Sequence, residues 1–205
     1  MEEALTQKKM DELRFHGGEA YDFYPKVLKR ISVSKEEKVL DVGCGVGNLS
    51  KYLKGFNLYG CDITENFVKQ AKKEFYKEVK VADIYNLPYE DNEFAKVICL
   101  GVFQYILDTE KAMKELLRVC KGDIIINTPN YNCVGIRFFL SKKWIDFTDY
   151  LVSSGTRWTN KSFHKKIAKK RNLKLRIKYF SYKFELIRNL WGDVLAGDII
   201  GIYRR

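Results

Sequence analysis

The chain is 205 residues long, 46% hydrophobic and 31% charged, with a net charge of +11; such a chain suits one soluble domain, 1–205, with a full core and no repeats or low-complexity segments. Its five cysteines, Cys44, Cys61, Cys99, Cys120 and Cys133, are scattered without a C-x-x-C pair and read as small core thiols of a cytoplasmic protein. Met1-Glu2-Glu3-Ala4 offers no basic stretch ahead of an apolar one, and no apolar run is long enough to span a bilayer, so secretion and membrane insertion are not expected.

In chain order, residues 3–14 and 18–31 read as helices, forming an N-terminal helical cap over 1–34. The second is amphipathic through Ala20, Phe23, Tyr24, Val27, Leu28 and Ile31. Between them lies His16, before Gly17-Gly18 and Tyr21. A strand near 38–42 then runs into Asp41-Val42-Gly43-Cys44-Gly45-Val46-Gly47-Asn48, three alternating glycines behind an acid. Glycine permits positive φ and lets a ligand approach the backbone with no Cβ in the way. A helix over about 48–54 is expected next, with its amide-rich N-terminus turned to the same place. A dinucleotide fingerprint wants a glycine or alanine where Asn48 stands, and Asp41 would repel a pyrophosphate. The ligand this loop suits is an adenosine bearing an amino acid.

Further strands are expected near 57–61, 78–82, 95–100 and 122–128, with helices near 65–76 and 109–119, capped by Thr64 and Asp108. Such alternation predicts an α/β fold, a parallel sheet covered by helices on both faces. Gly43, Asp62, Asp83 and Gly101 would all fall at the carboxyl ends of strands, where such folds bind ligands.

The glycine loop resembles motif I of the class I S-adenosylmethionine-dependent methyltransferases, (E/D)-x-G-x-G-x-G. Three more segments match in the family's order: Leu58-Tyr59-Gly60-Cys61-Asp62-Ile63, Val79-Lys80-Val81-Ala82-Asp83-Ile84, and the run from Phe94 to Tyr105. The resemblance covers residues 35–130 and looks closest to the small-molecule, type 11/23-like branch. It implies the Rossmann-like fold of that family, a seven-stranded, mostly parallel sheet with an antiparallel last strand. It also implies S-adenosylmethionine as cofactor and S-adenosylhomocysteine as product. In the family, the acid matched by Asp62 takes both ribose hydroxyls, which one carboxylate can do with two acceptor oxygens. Asp83 would meet the adenine amino group and Ile84 the ring. Asp41, Gly43, Cys44, Gly45, Gly47, Asn48, Ile63, Leu100, Gly101 and Phe103 would complete the cofactor site, with Tyr21 closing over the methionine end. Some relatives place Glu-His, part of a divalent metal site, where this chain has Gln104-Tyr105; neutral Gln104 is a poor ligand, so no metal is expected.

Residues 131–158 exceed the minimal fold and are rich in rings: Tyr131, Phe138, Phe139, Trp144, Phe147, Tyr150 and Trp158. They form a substrate cap, with Gln104, Tyr105, Tyr131 and Trp144 at an aromatic-lined acceptor site, or else bury a helical cap onto the core. His16 has the pKa class of a general base for an oxygen or nitrogen nucleophile; it equally suits a cap or packing position at a helix junction. Helix 159–171 and strands 172–181 and 198–204 would finish the sheet.

The charge is divided unevenly. Residues 1–150 are neutral overall, and residues 151–205, with 14 Lys+Arg against 3 Asp+Glu, carry the whole +11. Lys161, Lys165, Lys166, Lys169, Lys170, Arg171, Lys174, Arg176 and Lys178 supply most of it. This basic part, 159–205, reads as a solvated face, or as a surface for an anionic acceptor, an acidic protein, nucleic acid or a membrane. His164 in the basic helix reads as a surface residue. The function expected is S_N2 methyl transfer to an O, N or C of a small-molecule acceptor, anionic or aromatic. The alternatives are an RNA or protein methyltransferase using the basic face, or a non-catalytic cofactor-binding partner subunit; a dehydrogenase is disfavoured by Asp41 and Asn48.

Overall fold

A computed structural model describes residues 23–130, 159–180 and 198–205. His16, Tyr21, Tyr131 and Trp144 lie outside these, as do the expected helix 3–14 and the ring-rich insertion. The described elements in chain order are helix α1 (Phe23–Leu28), strand β1 (Val39–Val42), a 3-10 turn (Asn48–Tyr52), β2 (Leu58–Asp62), α2 (Glu65–Ala71), β3 (Glu78–Val81) and β4 (Phe94–Cys99). A second 3-10 turn (Phe103–Tyr105), α3 (Thr109–Val119), β5 (Cys120–Pro129), α4 (Lys161–Lys170), β6 (Lys174–Phe180) and β7 (Asp198–Arg204) follow.

Among the described residues the seven strands form one sheet in the order β3-β2-β1-β4-β5-β7-β6. The pairs from β3 through β5 are parallel, and β7 runs antiparallel to both β5 and β6. The four residues of β1 are all buried, as the central strand of a sheet covered on both faces must be. One face carries α3 and α4, whose Met113, Leu116, Val119, Ile167 and Ala168 share a core with Leu40, Val97, Ile124 and Tyr203. The other carries α1 and the first 3-10 turn, where Val27, Leu49 and Leu53 pack on Val39, Ile98, Ile125, Ile200 and Ile202. This is the expected α/β fold, and its strand order reverses between β1 and β4, placing a crevice at the carboxyl ends of those two strands.

Local chemistry explains most element boundaries. Asp108 caps α3, its Oδ1 accepting from the amides of Glu110 (3.1 Å) and Lys111 (2.9 Å). Asn160 caps α4 in the same way, accepting from Phe163 at 3.2 Å. The helix expected over 48–54 is instead a single 3-10 turn. Gly47 enters it with φ 92°, and the Ser50 hydroxyl donates to Gly47 O at 2.7 Å, closing a tight turn in place of a full helix. Thr64 makes no side-chain cap; the carboxylate of Asp62 holds its amide instead.

His164 corrects another expectation. Its ring is fully buried beneath α4, with Nε2 2.8 Å from Thr128 Oγ1 and Nδ1 2.6 Å from Tyr203 Oη. Thr159 Oγ1 donates to Thr128 Oγ1 at 2.6 Å, and its amide donates to Pro129 O at 3.0 Å. The network therefore ties the start of α4 to the end of β5. Burial pushes His164 down to about 4, so the imidazole is neutral. Gly201 is a glycine because a methyl there would overlap the His164 ring.

Candidate cofactor site

The glycine loop is tied to β2 by its own amides. Gly43 and Cys44 both donate to Cys61 O, at 2.8 and 3.0 Å, and Gly45 donates to Asp62 Oδ2 at 2.9 Å. Asp62 Oδ1 accepts from Thr64 at 2.9 Å. Each carboxylate oxygen keeps acceptor capacity beyond these bonds, and the two amides fix the orientation in which it is offered.

Gly43, Gly45, Gly47 and Gly101 all have left-handed φ, and they differ in what a side chain would meet. At Gly43 a methyl would overlap Val102, and at Gly47 it would press on Glu74 and the Tyr76 ring. At Gly45 and Gly101 it would meet nothing within 4 Å. These two glycines thus face open space from the two central strand ends, β1 and β4, as a ligand cradle requires. The β4 side is braced from β5: Gly101 N donates to Asn127 Oδ1 at 2.6 Å. Ile63, directly after Asp62, is 69% exposed, an apolar residue presented at the rim.

Other expected site residues sit deeper. Cys44, Ile84 and Phe103 are buried, Ile84 and Phe103 in the core beneath α3, and Cys44 turns its thiol toward Val68 and Val79. Leu100 and Tyr105 are half-buried, and Asn48 and Asp83 are exposed. Asp83 Oδ1 accepts from Tyr85 at 2.9 Å, bending the chain after β3. Arg118 and Glu115 of α3 hold the next stretch: Arg118 donates to Leu87 O and Tyr89 O, and Glu115 accepts from Leu87 N.

Asp41 does not face the cradle freely. It is buried at the end of β1, and Tyr76 donates to its Oδ2 at 2.6 Å. Burial, reinforced by Asp62 and opposed by the Tyr76 hydroxyl, pushes its carboxyl up to about 7. Tyr76 was not foreseen as a site residue, and neither was Asn127. The visible signal for Asn127 was an amide directly after the apolar Ile124-Ile125-Ile126; for Tyr76 there was none, since its partner lies 35 positions away.

Gln104 follows Phe103 in the second 3-10 turn and is buried, with its Oε1 lacking a hydrogen-bond partner among the described residues. An unsatisfied buried acceptor of this kind costs about 1–3 kcal/mol. Among the described residues no three His, Cys, Asp or Glu side chains gather as a metal site.

Residues 40–126 match the family model described as a methyltransferase domain. An uncharacterised protein of Methanocaldococcus jannaschii is 36% identical over 107 residues, 51% of this chain and 46% of its own length. This core carries the class I S-adenosylmethionine-dependent methyltransferase fold. A mouse relative named "Probable tRNA methyltransferase 9B" is 36% identical over 100 residues, 47% of this chain and 22% of that one. Magnesium protoporphyrin IX methyltransferase from Synechocystis, solved with bound S-adenosylmethionine, superposes with a TM-score of 0.61 at 17% identity, covering 99% of this chain and 86% of that one. The chain spans less than half the length of the M. jannaschii and mouse relatives. The residues present fit the family's cofactor: the open space before Gly45 and Gly101 is a cradle that a Cβ would fill, and the oriented Asp62 carboxylate stands beside it.

Proposed function

We propose that the chain is a methyltransferase using S-adenosylmethionine, with transfer by S_N2 to an oxygen, nitrogen or carbon of a small-molecule acceptor. The observation that carries the cofactor half is Asp62, each oxygen oriented by one backbone amide, next to two glycines that leave the carboxyl ends of β1 and β4 open. When bound, the cofactor supplies an already activated methyl group on a sulfonium. The protein's own task is then alignment and exclusion of water.

In this reading Asp62 accepts from the ribose hydroxyls, Asp83 meets the adenine amino group and Ile63 lies along the ring. Gln104 offers its unsatisfied carbonyl to an N–H or O–H of the acceptor, beside Tyr105. His16 takes the acceptor's proton, Tyr21 closes on the methionine end, and Tyr131 and Trp144 face the acceptor. A cytoplasmic location goes with this reading; among the described residues no helix is long and apolar enough to cross a membrane.

Calorimetric titration with S-adenosylmethionine, S-adenosylhomocysteine and NAD tests the cofactor. Binding of the two adenosyl ligands without NAD is expected, and binding of neither would overturn the reading. Transfer of a labelled methyl group to a panel of amines, phenols and carboxylates tests the acceptor, and incorporation into none of them would overturn the small-molecule assignment.

A further inference from the structure

The twenty residues 161–180 hold nine lysines and arginines and no acid. The fold arranges them around one edge of the sheet. On α4, Ile167 and Ala168 turn into the core and leave Lys165, Lys166 and Lys169 exposed. On β6, alternate residues share a face. Leu175 pairs with Tyr203 on the side that α4 covers, whereas Lys174, Arg176 and Lys178 pair with Arg204, Ile202 and Ile200 on the side of α1. One row of cations therefore lies on the helix and a second on the opposite face of the edge strand. Lys170 and Arg171 both pair with Glu110; six of the remaining seven, Lys165, Lys166, Lys169, Lys174, Arg176 and Lys178, make no ion pair among the described residues.

Both rows lead to the catalytic edge. Strand β6 runs antiparallel to β7, as β5 does, so the Lys178 end of β6 lies at the edge where β1 and β4 end. The start of α4 lies there as well, since Thr159 bridges Asn130 at the end of β5. Successive cations on β6 stand roughly 6.7 Å apart, a step suited to neighbouring phosphates of one nucleic-acid strand.

We infer that this two-row basic edge is a docking surface for the phosphate backbone of RNA. A protein partner is disfavoured because lysine is depleted from protein interfaces and the rows hold no aromatic anchor. A membrane is disfavoured because, among the described residues, the exposed large apolar ones, Tyr52, Ile63, Phe75, Val81 and Leu107, all belong to other elements, so nothing in the rows themselves would insert. Lysines track phosphates without reading base edges, and RNA loops present unpaired bases near such a track without the cost of flipping a base from a duplex. The surface lies outside the cofactor cradle, and the inference goes beyond the proposed methyl transfer.

Binding of total tRNA to the full chain is measured by filter retention over a salt series, without cofactor, alongside duplex DNA and phosphatidylglycerol/phosphatidylcholine vesicles. Six phosphate contacts predict a slope of log affinity against log salt of roughly −4. The triple variants K165E/K166E/K169E and K174E/R176E/K178E should each weaken retention at least tenfold and reduce the slope by about 2. Their circular dichroism and S-adenosylmethionine affinity should match the parent, which separates lost docking from lost folding. No retention at low salt, retention unchanged in both variants, or binding to DNA or vesicles equal to or tighter than to tRNA would overturn the inference. Because the assay contains no cofactor, failure of the methyl-transfer reading leaves this result untouched, and the reverse holds.

Discussion

In the cofactor-binding region bases and acids balance, and several meet directly: Lys38 with Glu93, Lys51 with Glu74, Lys96 with Glu37, and Arg118 with both Asp91 and Glu115. Along α4 and β6 six cations stand without such partners among the described residues, whereas Lys170 and Arg171 share Glu110. The difference is one of work. Arg118 and Glu115 hold the stretch that follows Asp83, and Glu74, beside Lys51, lies against Gly47, so these charges position loops around the site. The basic edge is held by Ile167, Ala168 and Leu175 and by the buried His164 network, and its six exposed cations take no part in either.

The largest expected effects break the cofactor side. His164 and Asp41 titrate in opposite senses. Unfolded His164 binds a proton near 6.5 that the folded ring refuses down to about 4, so its share of stability, about 3 kcal/mol, is complete above 6.5 and lost as pH falls toward 4. Folded Asp41 binds its proton at about 7 while the unfolded carboxyl waits until about 3.8, so its share runs the other way. Their shares therefore oppose each other between pH 6.5 and 4, and the parent should lose less stability there than His164 alone would cost. Asp41→Asn should expose the histidine and lose about 3 kcal/mol over that window in urea denaturation. A variant with the parent's own pH profile would remove one of the two titrations from the account.

Next comes Asp62→Ala, which takes away the proposed ribose acceptor together with the anchors of Gly45 and Thr64. S-adenosylmethionine affinity should fall roughly 100-fold, the worth of one or two charge-assisted hydrogen bonds. Calorimetry checks it, and unchanged affinity would sink the ribose assignment. Lys96→Met is smaller. Lys96 is buried and Glu37 partly exposed, so stranding that carboxylate should cost about 2 kcal/mol, read from the denaturation midpoint.

What was legible in the sequence follows the range of the interaction. The β/α alternation, the Asp108 cap and the split of charge are written in neighbouring residues, and the structure bears them out. The helix expected after the glycine loop shrank to one turn because Ser50 and Gly47 bond locally in a tighter geometry than apolar spacing can signal. His164 was misjudged because its helix is lysine-rich on most sides. Its burial rests on Thr128 and Tyr203, 36 and 39 positions away, and on a glycine at 201 that clears its space. The pairing of Tyr76 with Asp41 and of Asn127 with Gly101 is non-local in the same way.

The smallest expected effect is also the sharpest test of the comparison. Lys165→Gln, Lys166→Gln and Lys169→Gln, singly or together, remove no ion pair found among the described residues, and all three side chains are exposed. Each should change stability by no more than about 0.5 kcal/mol. Neutralising a run of like charges relieves repulsion, so the triple variant should move toward higher stability, and most at low salt where screening is weakest. Thermal midpoints measured against Lys96→Met then separate the two regions directly. If the lysines of α4 proved as costly to lose as Lys96, the basic edge would be holding the fold together, and its cations would not be free for an RNA.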